Sequence, residues 1–160
     1  MDRGEGILVL GYGNTQRGDD GVGPRIAGVV AGWGLPNVNV IERHQLTPEL
    51  ADPISRASHV IFVDAVVNQP TTDVQVSPLL PAKTTLAWHH ATSPGALLAL
   101  AGSVFGRAPN AWMVSIPVSE LGLGEGLSEQ AQRGVDEALV RVRELVQRAR
   151  PDGGPETRAQ

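Results

Sequence analysis

The stretch ILVLGYGNTQRGDDGVG, residues 7–23, decides how this chain is read. Four consecutive apolar residues, Ile7 to Leu10, suit a strand buried on both faces. The glycines Gly11, Gly13 and Gly18 then allow a tight turn, with positive φ and close backbone approach. The turn delivers two adjacent carboxylates, Asp19 and Asp20, to the start of a helix expected over about Asp20 to Trp33, with Val22, Ile26, Val29 and Val30 as its apolar stripe. Dinucleotide-binding loops share the strand, glycines and helix, but they keep the helix end open for a pyrophosphate. Two aspartates there repel phosphate and attract a cation. Gln16 also stands where a third fingerprint glycine would fall, so a nucleotide-dependent oxidoreductase is disfavoured.

The rest of the chain repeats the alternation of strand and helix. Strands are expected at Gly6–Gly11, Val38–Ile41, His59–Val66, Asp73–Val76 and Ala111–Ile116, the last ended by Pro117. Thr47 reads as an N-cap with Pro48 at the first helical position, opening a short helix that Pro53 should disturb. Ser93-Pro94 opens another helix, and Ser128 caps a long final one with Val135, Ala138, Leu139, Val142 and Leu145 facing the core. This pattern specifies an α/β fold with a mostly parallel sheet of about five strands. Residues 1–150 are expected to form one domain; the polar tail PDGGPETRAQ, residues 151–160, is expected to be disordered.

Composition narrows the function. The 160 residues carry a net charge of −4, with 41% apolar and 19% charged residues, and no basic block outside the final helix. Nucleic-acid binding is disfavoured without a basic footprint. No apolar run approaches the roughly 20 residues of a membrane span, so no membrane partner is expected. The start, MDRGEG, lacks the layout of a secretory signal, so a cytoplasmic location is expected. The absence of cysteine removes thiolate metal sites, iron–sulfur ligation and a cysteine nucleophile.

Any metal must therefore be held by carboxylates and the four histidines His44, His59, His89 and His90. In open parallel sheets, ligands bind at the carboxyl ends of the strands. Asp20 lies just past strand one, Asp64 ends the apolar part of strand three, and His89-His90 precede the Ser93 helix. Two carboxylates and an imidazole would suit zinc, nickel or another divalent first-row ion. Each residue has a plainer role as well: Asp20 as a helix-start carboxylate, Asp64 as a satisfied strand-end group, the histidines as solvated loop residues. Arg17, His44 and His59 read as surface or structural residues, and Trp88 as half-buried packing or a partner-facing anchor. No GxSxG elbow or HExxH helix is present, and Ser115 lacks a nucleophile signature.

Four segments in order, GYGNTQRGDDGVGPRIA, VIFVDAVV, HHATSPGALLALA and SIPVSELGLGEGLS, resemble the nickel–iron hydrogenase maturation proteases. The resemblance runs from Ile7 to about Val146. It implies a three-layer fold, a twisted mostly parallel sheet with helices on both faces. It also implies an endopeptidase that removes a C-terminal extension from a hydrogenase large-subunit precursor after nickel insertion. The family's metal-binding set falls by motif position on Asp20, Asp64 and His90; His90 rather than His89 fits the family's spacing to Leu97-Leu98. Asp20, Asp64, His90 and Asp19 are then the candidate catalytic residues, with Asp19 or Asp20 as general base. The nickel is expected to arrive with the substrate, zinc or another divalent ion being the alternative, and the protein is expected to be monomeric. The segment IERHQLTPELA departs from the glycine- and threonine-rich motif common after the second strand, which leaves Glu42, Thr47 and Glu49 without a borrowed role. A nickel-sensing chaperone that docks on the precursor without cutting it is the rival reading.

Overall fold

A computed structural model describes residues 4–83, 93–119 and 121–149. The expectations for Trp88, His89, His90 and the 151–160 tail lie outside these. Among the described residues, five strands form one sheet: β1 (Ile7–Tyr12), β2 (Val38–Arg43), β3 (His59–Val66), β4 (Gln75–Leu79) and β5 (Asn110–Pro117), in the order β2-β1-β3-β5-β4. All neighbours are parallel except β4, which runs antiparallel to β5 at the edge. Edge placement is what tolerates Pro78 within β4, because its missing N–H can face outward.

The strands alternate their apolar side chains between two cores. Ile7 and Val9 of β1, Ile61 and Val63 of β3, and Val114 and Ile116 of β5 pack under helices α1 (Val22–Gly32) and α4 (Glu129–Ala149). Leu8 and Leu10, Val60 and Phe62, and Ala111 pack on the opposite face under α2 (Ala51–Arg56) and α3 (Pro94–Phe105). The result is the expected three-layer α/β architecture. Burial on both faces explains why β1 and β3 read as continuous apolar runs rather than alternating ones.

Boundaries differ from the sequence reading where caps decide them. The first helix begins at Val22 because Gly18–Gly21 form a 3-10 turn that carries both aspartates ahead of it. Pro53 sits in the first turn of α2, where its missing N–H is not needed, so the helix passes through it. Thr47 is extended but makes no cap bond; its hydroxyl donates to Glu49 Oε2 at 2.7 Å instead. Ser93 does cap α3, accepting from the Ala96 N–H at 3.3 Å. Val29, placed in the apolar stripe of α1, is exposed, and Leu139 is only half-buried.

Candidate active site at the carboxyl edge of the sheet

The chain leaves β1 toward β2 on one side and reaches β3 on the other, so the strand order switches at β1. Clefts open at such switches, beyond the strands' carboxyl ends. Gly11 is paired with Val63, which sets the following residues, Tyr12 and Asp64, next to each other on adjacent strands. Side-chain alternation puts both on the α2/α3 face, and the Tyr12 ring packs at the rim of that core.

The loop after β1 brings Asp20 back over this edge. Gly13 makes the return possible: its φ of 148° and the Asp20 carbonyl beside it leave no room for a side chain. Gly23 allows α1 to approach the ends of β1 and β3, since a Cβ there would meet the Tyr12 and Val63 carbonyls. The Asp20 carboxylate accepts the Asn14 N–H at 2.7 Å, which closes the loop on itself.

Asp20 and Asp64 are close enough to feel each other's charge. Asp64 accepts its neighbour's N–H from Ala65 at 2.8 Å. Burial, reinforced by the Asp20 charge, outweighs that bond and the nearby Tyr12 hydroxyl, and pushes the Asp64 carboxyl up to about 7. Burial and the charge of Asp64, then its hydrogen bond and Asp20, hold the Tyr12 phenol protonated well above its ordinary range. A carboxyl titrating near neutrality beside a second carboxylate suits proton transfer or cation binding.

Asp19, the other aspartate of the loop, is tied to the last helix. It is only 1% exposed. Its two oxygens accept from Ser128, one from the backbone N–H at 2.8 Å and the other from the hydroxyl at 2.7 Å. The same Ser128 hydroxyl accepts the Ala131 N–H at 3.1 Å, capping α4 as expected. The adjacent aspartates thus divide, one anchoring the last helix and one closing the first loop near Asp64. Burial and the two bonds from Ser128 give Asp19 an anchoring role.

The sequence carries no signal for this pairing across 109 residues. Nor did it show that the 122–126 segment clips the first loop. Gly18 N–H donates to the Gly124 carbonyl at 2.9 Å, and Gly124 N–H to that of Gln16 at 2.8 Å. Beside this clip lies an open polar groove of about 310 Å3 lined by Thr15, Arg25, Glu42 and Glu125. A second, of about 260 Å3, adds Arg43 and His44 and shares Thr15, Pro24 and Glu42. Glu42, of the divergent segment, therefore borders both.

The candidate ligands fall into two groups. Asp20 and Asp64 come together, whereas His90 lies outside the described residues. Among the described residues no three histidines or carboxylates are grouped to hold a metal ion. Two neighbouring carboxylates could fill two positions of a divalent-ion site. His59 is far from this edge, at the start of β3, stacked on Trp112.

No family model and no curated protein matches the chain. Solved structures do. The hydrogenase 2 maturation peptidase from a Thaumarchaeota archaeon is 26% identical, with a TM-score of 0.65 over 88% of this chain and 97% of its own. The [NiFe] hydrogenase maturation protease HybD from Thermococcus kodakarensis is 23% identical, with a TM-score of 0.70 over 88% and 99%. The hydrogenase maturating endopeptidase HybD from E. coli is 21% identical, with a TM-score of 0.67 over 88% and 91%. In its four sequence segments and in its fold, this chain resembles the nickel–iron hydrogenase maturation proteases.

Proposed function

We propose that the protein is an endopeptidase that removes the C-terminal extension of a nickel–iron hydrogenase large-subunit precursor after nickel insertion. The observation that carries this reading is the meeting of Asp20 and Asp64 at the strand switch of a maturation-protease fold. Nickel is recognised as part of the substrate by Asp20, Asp64 and His90. When bound, a divalent ion supplies polarisation of the scissile carbonyl and a lower pKa for an attacking water.

The chain's own residues supply position and proton transfer. Asp64, held near neutrality by burial, accepts a proton from water in its charged form and returns one to the leaving amine in its neutral form. Asp20 keeps the edge electronegative and is itself fixed by the Asn14 N–H. The polar groove along Thr15 and Glu42 seats the chain flanking the scissile bond. No described helix is long and apolar enough to cross a membrane; the enzyme is proposed to act in the cytoplasm, as a monomer.

The test is the intact mass of a nickel-loaded large-subunit precursor after incubation with this protein, beside nickel-free precursor and the Asp20→Ala, Asp64→Ala and His90→Ala variants. Loss of one C-terminal peptide is expected only with nickel and with all three residues present. Equal cleavage of nickel-free precursor would overturn nickel recognition. An unchanged mass with the complex still formed would make the protein a docking chaperone instead.

A further inference from the structure

We propose that the open edge of β2 is a docking strand, on which an extended segment of the precursor adds to the sheet beside the site. The identity of the partner rests on the peptidase reading; the geometry rests on the hydrogen-bond phase of the sheet.

A strand at the edge of a sheet offers a row of unpaired N–H and C=O groups, and folds commonly blunt such rows with proline or a bulge. The two edges of this sheet differ in that respect. β4 carries Pro78. β2, with the sequence VNVIER, holds no proline, and its register with β1 runs without a bulge from Val38 to Arg43. Among the described residues no strand lies on its outer side.

The two ends of the β1–β2 ladder fix its phase. The Asn37 carbonyl accepts the Ile7 N–H at 2.8 Å, and the Arg43 carbonyl accepts the Gly13 N–H at 3.0 Å. Alternate residues of a parallel pair turn their backbone groups to the same side. Asn39 and Ile41 therefore face β1, while Val38, Val40 and Glu42 face outward. Two of the outward groups are occupied. The Val38 N–H donates to the Leu35 carbonyl at 3.4 Å, and Arg43 Nη1 donates to the Glu42 carbonyl at 3.0 Å. The Val38 carbonyl, both groups of Val40 and the Glu42 N–H have no partner among the described residues. Two residues of an extended peptide, spaced two apart, match these four groups.

The edge leads to the site. At its carboxyl end Glu42 and Arg43 line the polar groove of about 260 Å3, together with Gly13 and Thr15 of the loop that carries Asp20. A strand added to β2 lies three strand spacings, about 14 Å, from β3 and its Asp64. About four extended residues cover that distance, so the docked segment sits about that far along the chain from the scissile bond. The occupant is a peptide because a row of backbone donors and acceptors recognises another backbone, and the groove beyond the row continues toward the carboxylates.

The test has two readouts on the full chain. The first is residue-by-residue amide hydrogen exchange of the Asp64→Asn variant, whose slow cleavage leaves the nickel-loaded precursor whole, with and without that precursor. Formation of the complex should slow exchange at Val40 and Glu42 about tenfold or more, while Asn39 and Ile41, already bonded to β1, hold. The second is kcat and KM for Glu42→Pro against Glu42→Ala. Both lose the carboxylate, and only proline removes the outward N–H. KM of Glu42→Pro should exceed that of Glu42→Ala about tenfold at similar kcat.

Unchanged exchange at Val40 and Glu42 in a formed complex would overturn the docking strand, and that readout needs no substitution at the edge. Equal KM in the two Glu42 variants, with Asn39 and Ile41 still exchanging slowly, would overturn it as well. Slowing that needs no precursor and grows with protein concentration would give the edge to a second copy, against the proposal. Slowed exchange in the complex, with a wild-type protein that never cleaves the loaded precursor, would uphold the docking strand and overturn the peptidase reading.

Discussion

The two ends of the sheet handle buried polarity in opposite ways. At the amino end buried polar groups pair with one another. The Ser58 hydroxyl donates to the Gly6 carbonyl at 2.7 Å and lies 3.0 Å from His59 Nδ1. His59 stacks on Trp112 at 5.5 Å and is kept neutral by burial and by Arg107. Arg107 in turn bonds the carbonyls of Ser55 and Ala57. At the carboxyl end, two carboxylates share one edge and Asp64 is driven toward protonation. The amino end is a solved electrostatic problem, and the carboxyl end is an unsolved one. A site that awaits a cation or a proton has to stay unsolved until its ligand arrives.

Four variants would break or sharpen that contrast. The largest effect is expected for Asp64→Asn, which removes the titrating group. Cleavage of the loaded precursor should fall roughly 10³-fold, read by intact mass over time. The same variant should be more stable than wild type at neutral pH. Because folding raises the Asp64 pKa from 3.8 to about 7, the Asp64 contribution to stability is fully present below pH 4 and is lost as pH rises toward 7. Urea unfolding from pH 4 to pH 8 should show that loss in wild type, of order 4 kcal/mol, and a flatter profile in the variant. Equal profiles would mean that Asp64 is not strained by its site.

Next comes Asp19→Ala, which strands the buried Ser128 donors and should cost about 2–4 kcal/mol. A double-mutant cycle with Ser128→Ala should be strongly non-additive. Additive losses would separate the two residues, and with them the anchoring role of Asp19. At the opposite end of the sheet, Arg107→Ala should cost about 1–2 kcal/mol while leaving the rate of precursor cleavage unchanged. A lowered rate in a still folded protein would show that the amino end is not independent of the site. The smallest effect is expected for Arg56→Ala, on α2. Its ion pair with Asp52, at 3.1 Å, is exposed on both sides, so thermal unfolding should change by less than about 0.5 kcal/mol.

These contrasts also mark what was legible beforehand. The apolar run of β3 and the Ser93 and Ser128 caps could be read because each is a local pattern with a local physical cause. The strand-end placement of Asp64 followed from the same run. The division between Asp19 and Asp20 could not be read. Both are acidic, adjacent and at the start of one helix, and only the arrival of Ser128 from far along the chain separates them. The β4 boundary shifted for a similar reason: its pairing partner, β5, decides which residues extend.

By itself the sequence determined the α/β class, the strand-turn-helix at Ile7–Gly32 and the acidic loop, because periodicity, glycine and proline act over a few residues. The tertiary structure alone decided which carboxylate anchors the last helix and which lies near Asp64. It also placed a tyrosine beside Asp64 and closed the first loop against Gly124. The reason is physical: burial, register and charge proximity join residues that chain order keeps apart. Those three quantities, and not residue type, set what an aspartate does.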